Sequence, residues 1–219
     1  MSVLYVYGIT DSRVEPQLTG LHGAPLQRIE GGELAALVSE HPVAPELDEE
    51  VLWEHEQVVE ELMPLATILP LRFGSSVERA EALVAMMAER REEFLESLDR
   101  VRGAVELSVR AELPPPRVED PPPRPRSGTD YLMQRAERER REREAVELVH
   151  RPLAALAKCS MPPAGPHDPR QFKAAYLVEK AGVEEFGSRV SELNAGLEDV
   201  RVSCTGPWPP YSFVAERSA

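Results

Sequence analysis

Thr205-Gly206-Pro207-Trp208-Pro209-Pro210-Tyr211-Ser212-Phe213-Val214 is the stretch on which the reading of this chain turns. Proline has no amide N–H and its ring clashes with the preceding turn, so Pro207, Pro209 and Pro210 exclude a helix interior. The same missing donor excludes a central strand. What remains is a stiff extended segment with preset φ angles, preceded by a free turn at Gly206. Such a segment loses little entropy when it docks, and it holds Trp208, Tyr211 and Phe213 at fixed spacing. Two readings are open. Either the tail is pinned across a domain and its aromatics complete the core, or they anchor a partner.

Working back from the tail, Val200, Val202 and Cys204 alternate and read as the strand that feeds it. Val183, Phe186, Val190, Leu193 and Leu197 step by threes and fours, the seam of one helix. Phe172, Ala174, Tyr176 and Val178 mark a strand, and a short one is expected near Lys158–Ser160. Thr129 or Asp130 caps a long helix reaching Leu156. Its centre, 137–144, alternates Glu and Arg without an apolar face, so i,i+4 pairs support it in water. Pro152 is expected to kink or end it. Val105, Leu107, Val109 and Ala111 alternate with Glu106, Ser108, Arg110 and Glu112, the period of a strand with one wet face. Between that strand and the long helix lies a proline-rich run, 114–126, expected as an exposed loop. From Val105 onward the order is strand, helix, strand, strand, helix, strand. That is the split β-α-β of a ferredoxin-like domain.

The part before it reads as a second α+β unit. Val3 to Ile9 is rich in β-branched and aromatic residues, a strand. Leu26–Ile29 and Leu34–Val38 flank Gly31-Gly32, a hairpin signal. Asp48 caps a helix with Val51, Leu52, Val58, Val59, Leu62 and Met63 apolar, closed by Pro64. Ala66 to Leu71 is a short buried strand. Ser75 and Glu78 form a capping box ahead of one helix carrying Val77, Ala80, Val84, Met87, Phe94 and Leu98. The expected architecture is α+β in two domains. Residues 1–101 form an N-terminal unit of hairpin strands and two helices; 102–219 form a ferredoxin-like βαββαβ unit bearing the aromatic, proline-rich tail.

The totals bound the partners. In 219 residues there are 25 Lys and Arg against 38 Asp and Glu, a net charge of −13. Polyphosphate backbones and anionic lipids bind clustered bases, so neither nucleic acid nor membrane is an expected partner. A partner is expected to be basic or to be met through apolar contacts. The start, Met1-Ser2-Val3-Leu4-Tyr5, lacks a basic signal-peptide region, and no apolar run approaches the roughly 20 residues that span a bilayer. Cys159 and Cys204 lack a C-x-x-C pattern and read as reduced thiols. A cytoplasmic protein is expected.

Chemistry is sparse. There is no glycine-rich phosphate loop, no G-x-S-x-G elbow and no H-E-x-x-H. His22, His41, His55, His150 and His167 never fall at metal-ligand spacing. His55, between Glu54 and Glu56, comes nearest to a site and otherwise reads as a histidine on a helix face. Arg72, before Phe73-Gly74, either meets an anion at the helix start behind it or ties loop carbonyls or a carboxylate. No catalytic residue, cofactor or metal ligand is assigned, and the chain is read as a non-enzyme.

Four segments carry a resemblance: Tyr5-Val6-Tyr7-Gly8-Ile9, Leu69-Pro70-Leu71-Arg72-Phe73-Gly74, Tyr131-Leu132, and the run from Thr205 to Phe213. In this order they resemble the gas vesicle protein F/L family, accessory proteins encoded alongside the gas vesicle shell subunit. The resemblance implies a two-domain α+β protein, with a C-terminal ferredoxin-like unit, that takes part in assembling gas vesicles and is a minor component of the gas vesicle. Its implied partners are the hydrophobic shell subunit, whose aggregation it would limit during vesicle nucleation, and other gas vesicle accessory proteins. Trp208, Tyr211, Phe213, Arg72 and Phe73 are the candidates for partner binding or tail docking. The long proline-rich insert, and Gly128-Thr129-Asp130 where the family is expected to place a basic residue, depart from the pattern. A small-molecule-binding regulatory module is the alternative function.

Overall fold

The mixed α+β architecture starts from β1 (Val3–Thr10), a strand buried along nearly its whole length. A computed structural model describes residues 2–13, 15, 17–112, 127–161, 171–197 and 200–214. The proline-rich run 114–126 lies outside them. The chain divides into two compact units, Met1–Val105 with Trp208–Ala219, and Glu106–Pro207.

In the first unit, β2 (Gln27–Gly31) and β3 (Leu34–His41) form the expected hairpin, with Gly32 at φ 76 in its turn. This left-handed backbone favours glycine. The sheet runs β2-β3-β1, then two short strands on the far edge of β1, β4 (Leu69–Pro70) and β5 (Ser76–Val77). All these pairings are antiparallel. Against β3, the register of β1 shifts between Val6 and Gly8, which makes Tyr7 a bulged residue. A bulge bends a strand and re-aims the side chain it carries.

Helix α1 (Glu49–Leu62) begins where Asp48 Oδ1 accepts the Val51 amide at 2.9 Å. From that start, Val51, His55, Val58, Val59 and Leu62 fall on one buried stripe. They pack with Tyr5, Tyr7, Leu21, Leu26, Leu37 and Ile68 into one core. Leu52, expected on the apolar side, is exposed.

The single helix expected behind Ser75 is two helices, α2 (Ala80–Glu89) and α3 (Arg91–Val101), so the unit holds three helices rather than two. The chain breaks at Arg90, whose guanidinium pairs with Glu93 and lies 4.8 Å over the Phe94 ring. The capping box does not form. Ser75 Oγ donates to the Arg72 carbonyl, and Ser76 and Val77 pair with β1, so sheet hydrogen bonds claim the residues that would have opened the helix.

The second unit contains β6 (Ala104–Glu112) from Glu106 onward, α4 (Gly128–Ala154), β7 (Cys159–Ser160), β8 (Gln171–Glu179), α5 (Val183–Gly196) and β9 (Arg201–Trp208) as far as Pro207, with strand order β7-β8-β6-β9. Its core joins Leu107, Val109, Val149, Phe172, Tyr176 and Phe186 among others. Pro152 lies in the last turn of α4, which ends two residues on. The wet face expected on β6 is narrower than its alternation suggests. Glu106 is buried, and only Arg110 and Glu112 are fully exposed.

Two features of the tail differ from the sequence reading. Strand β9 continues through Gly206 and Pro207 to Trp208 instead of stopping at Cys204. It lies at the sheet edge, where a missing N–H costs no ladder bond. Asn194 fixes it earlier, its side-chain amide exchanging two 2.8 Å hydrogen bonds with the Val202 backbone. Secondly, Trp208 to Val214 belong to the first unit, not to the unit whose strand delivers them. Chain adjacency suggested the other assignment.

Candidate functional site: a buried histidine closed by the tail

His55 is the hub. The register set by Asp48 turns it fully inward, at 0% exposure. Its Nδ1 is 3.1 Å from Tyr5 Oη, and its Nε2 is 3.0 Å from Tyr211 Oη, 156 residues away. The ring stacks on Tyr7 (centroids 5.7 Å, interplanar 20°), with Tyr5 and Phe73 edge-on at 5.6 and 5.9 Å. Burial drives its pKa down from an ordinary 6.5 to about 4, because the imidazolium would lose its hydration.

One assignment of the protons makes a continuous chain through His55, which also has a hydrogen bond to the Leu71 backbone. The Gly74 amide donates to Tyr5 Oη at 3.0 Å. The Tyr5 hydroxyl is then free to donate to Nδ1. Assigning the ring proton to Nε2 lets it donate to Tyr211, whose hydroxyl donates onward to the Glu56 carboxylate. Burial pushes Tyr5 up to about 12 and raises Tyr211 as well, the nearby Glu56 charge adding to the latter. Glu56 itself is raised by burial, against the hydrogen bond from Tyr211.

A second chain lies alongside. The Leu21 amide donates to Tyr7 Oη at 2.7 Å, Tyr7 meets Ser39 Oγ at 2.7 Å, and Ser39 meets His41 Nε2 at 2.8 Å. Gly20 makes this approach possible, since a Cβ there would run into the Tyr7 hydroxyl and Ser39. Burial lowers the His41 pKa, with His22 adding to the shift.

The expected site residues separate. Phe73 and Tyr211 meet at His55. Phe213 is buried in the 3-10 turn Tyr211–Phe213, and Arg100 Nη1 is 3.4 Å from its carbonyl. Trp208 is 40% exposed, so it is not a core residue in the sense of Phe213. The Arg72 side chain is exposed, and its carbonyl accepts both the amide and the hydroxyl of Ser75. Arg72 is not among the rings that surround His55.

Sequence reasoning marked His55, between Glu54 and Glu56, as nearest to a site but otherwise read it as a helix-face histidine, and it did not link either His55 or Glu56 to Tyr5 or Tyr211. The signal was available: His55 shares the helical phase of Val51, Val58, Val59 and Leu62. Such an arrangement is suited to holding structure. Its ring nitrogens are both occupied, and it offers no open nucleophile. Among the described residues, no group of three or more His, Cys, Asp or Glu is placed to hold a metal. No described helix is long and apolar enough to cross a membrane.

Three of the four segments that carry the resemblance converge here: β1 with Tyr5 and Tyr7, the loop ending at Phe73-Gly74, and the tail with Tyr211. Comparison with known proteins agrees with that pattern. Residues 3–215 match the family model described as gas vesicle synthesis protein GvpL/GvpF. The chain is 30% identical to gas vesicle protein L of Streptomyces sp. (strain CB03234), over 95% of this chain and 91% of the relative. It is likewise 30% identical to gas vesicle protein F of the same organism, over 96% and 98%. The crystal structure of the gas vesicle protein GvpF from Anabaena sp. PCC7120 shares the fold, with a TM-score of 0.81 at 20% identity and 100% of both chains covered. The chain belongs to the GvpL/GvpF family of gas vesicle synthesis proteins, and its role is a gas vesicle role.

Proposed function

We propose that this protein is a non-catalytic assembly factor and minor component of the gas vesicle. It binds the hydrophobic shell subunit and limits its aggregation while vesicles nucleate. The observation that carries this reading is the family match along residues 3–215. The physics is compatible: a subunit that must expose apolar surface aggregates unless something covers that surface first. A carrier with a net charge of −13 repels its own copies while it does so. The protein would work in the cytoplasm and on the vesicle, among other accessory proteins of the same system. It would consist of two domains, the second of ferredoxin-like type, a reading supported by the strand order β7-β8-β6-β9.

Within this reading the tail has divided duties. Tyr211, Phe213 and Phe73 dock it, and the exposed part of the Trp208 ring is offered to the partner. Co-expression and pull-down with the shell subunit tests the function: retention at low and moderate salt is expected, and none would overturn it. Trp208→Ala tests the division of duties. With part of the indole already in water, the loss of stability should be about 1–2 kcal/mol, whereas shell-subunit retention should fall clearly.

A further inference from the structure

We propose that the outward face of α1, centred on Trp53, is a docking surface for a basic amphipathic segment of a partner protein. The inference goes beyond the shell-subunit reading, because it specifies the chemistry of the partner and not its identity.

Trp53 is the second tryptophan of the chain, and it is 66% exposed. At 100° per residue it lies opposite the stripe of Val51, His55, Val58 and Leu62 that α1 buries. The unit's own core therefore leaves this ring in water. A lone exposed aromatic is common on soluble proteins, so exposure alone decides nothing. Its surroundings decide. The helix neighbours of Trp53 three and four positions away are Glu49, Glu50, Glu56 and Gln57, and Glu60 comes one turn later on the same face. Leu52, 38% exposed, adds apolar area beside the ring.

No Lys or Arg occurs between Arg28 and Arg72. The carboxylates of α1 thus have no basic neighbour in sequence, and Glu49, Glu50 and Glu60 are exposed. An indole sharing its helix face with three exposed carboxylates, Glu49, Glu50 and Glu60, is complementary to one kind of surface. Guanidinium or ammonium groups stack on its face while pairing with the acids, and adjacent apolar side chains cover the remainder. A bilayer with an anionic surface or a nucleic acid would be repelled by the same carboxylates. A second copy of this chain, also acidic, would be repelled too. Tryptophan is one of the residue types that dominate interface hot spots.

The test places a photo-crosslinking residue at position 53 of the full chain, in cells making the complete set of gas vesicle proteins. The adduct is mapped by mass spectrometry. The expected result is one cross-linked segment of a partner protein carrying net positive charge and interspersed apolar residues. Glu49→Lys with Glu60→Lys should reduce that adduct on the order of tenfold or more, with circular dichroism and vesicle-free expression unchanged. Absence of an adduct, an adduct to an acidic or uncharged segment, to lipid or to a second copy, or insensitivity to the charge reversal would each overturn the proposal. The pull-down with the shell subunit fails or succeeds separately. Retention of the shell subunit without a basic adduct at position 53 sinks this surface alone. A basic adduct without shell-subunit retention sinks the proposed function alone.

Discussion

The first unit buries polar groups at the centre of its core, where His55, Ser39 and His41 interlock with the hydroxyls of Tyr5 and Tyr7. In the second unit the described core cluster is apolar, from Leu107 through Phe186 to Val202, and buried Glu106 lies outside that cluster. Its buried hydroxyl, on Tyr176, meets half-buried His150 at 2.8 Å, where water can reach the partner. The difference concerns error tolerance. An apolar core accepts volume-conserving exchange, losing uniqueness before stability. A buried polar network is satisfied only in one arrangement, and each missing member leaves another group unpaired.

The largest effect should come from the hub. His55→Ala removes a fully buried ring and strands two tyrosine hydroxyls, so about 3–5 kcal/mol should be lost. Hydrogen exchange at the amides of β1 and α1 should report it, with β8 in the second unit much less affected. Comparable loss in both units would erase the contrast.

Next comes pH. The folded pKa of His55 lies near 4, below its ordinary 6.5, so the unfolded chain takes up the proton first. Its stabilising contribution is complete above about pH 6.5 and is lost as pH falls toward 4, by roughly 3 kcal/mol. His41 is shifted in the same direction and adds to the loss. Glu56, raised in the folded state, opposes it, since its protonation favours the fold as pH drops. Melting temperature against pH should therefore slope downward between pH 6.5 and 4, and His55→Leu should flatten the slope.

Smaller effects probe the two units by using one chemical change twice. Tyr211→Phe breaks the link from His55 to Glu56 and should cost about 1–2 kcal/mol. Tyr176→Phe in the second unit should cost less than about 1 kcal/mol, because His150 can turn to water. Chemical denaturation of both variants measures the pair. Equal costs would mean that the two hydroxyls are equally well replaced by solvent.

What could be read from the sequence was periodicity. The glycine turn between β2 and β3, the cap at Asp48, and the seam of Phe186 and Val190 are local signals, and each appears where its spacing placed it. The break at Arg90 was not legible, because the apolar spacing of Met87, Phe94 and Leu98 continues through it unchanged. The capping box failed through competition: Ser75 and Glu78 have the right spacing, but β1 offers Ser76 and Val77 a sheet edge. The His55 cluster was invisible for a different reason. Tyr5, Gly74 and Tyr211 are far apart in the chain, and no local pattern reports a contact spanning 156 residues. The aromatic tail was recognised as a rigid element, yet its destination was misjudged because neighbours in sequence were taken to be neighbours in space.

That distant contact gives the molecule a timetable. Synthesis proceeds from the N-terminus at about 5–20 residues per second, and the segment bearing Tyr211 and Phe213 emerges only after the whole second unit. For several seconds the nascent first unit holds Phe73 and the outer edge of His55 without their cover. Release of a chain truncated before residue 211 would make that interval permanent.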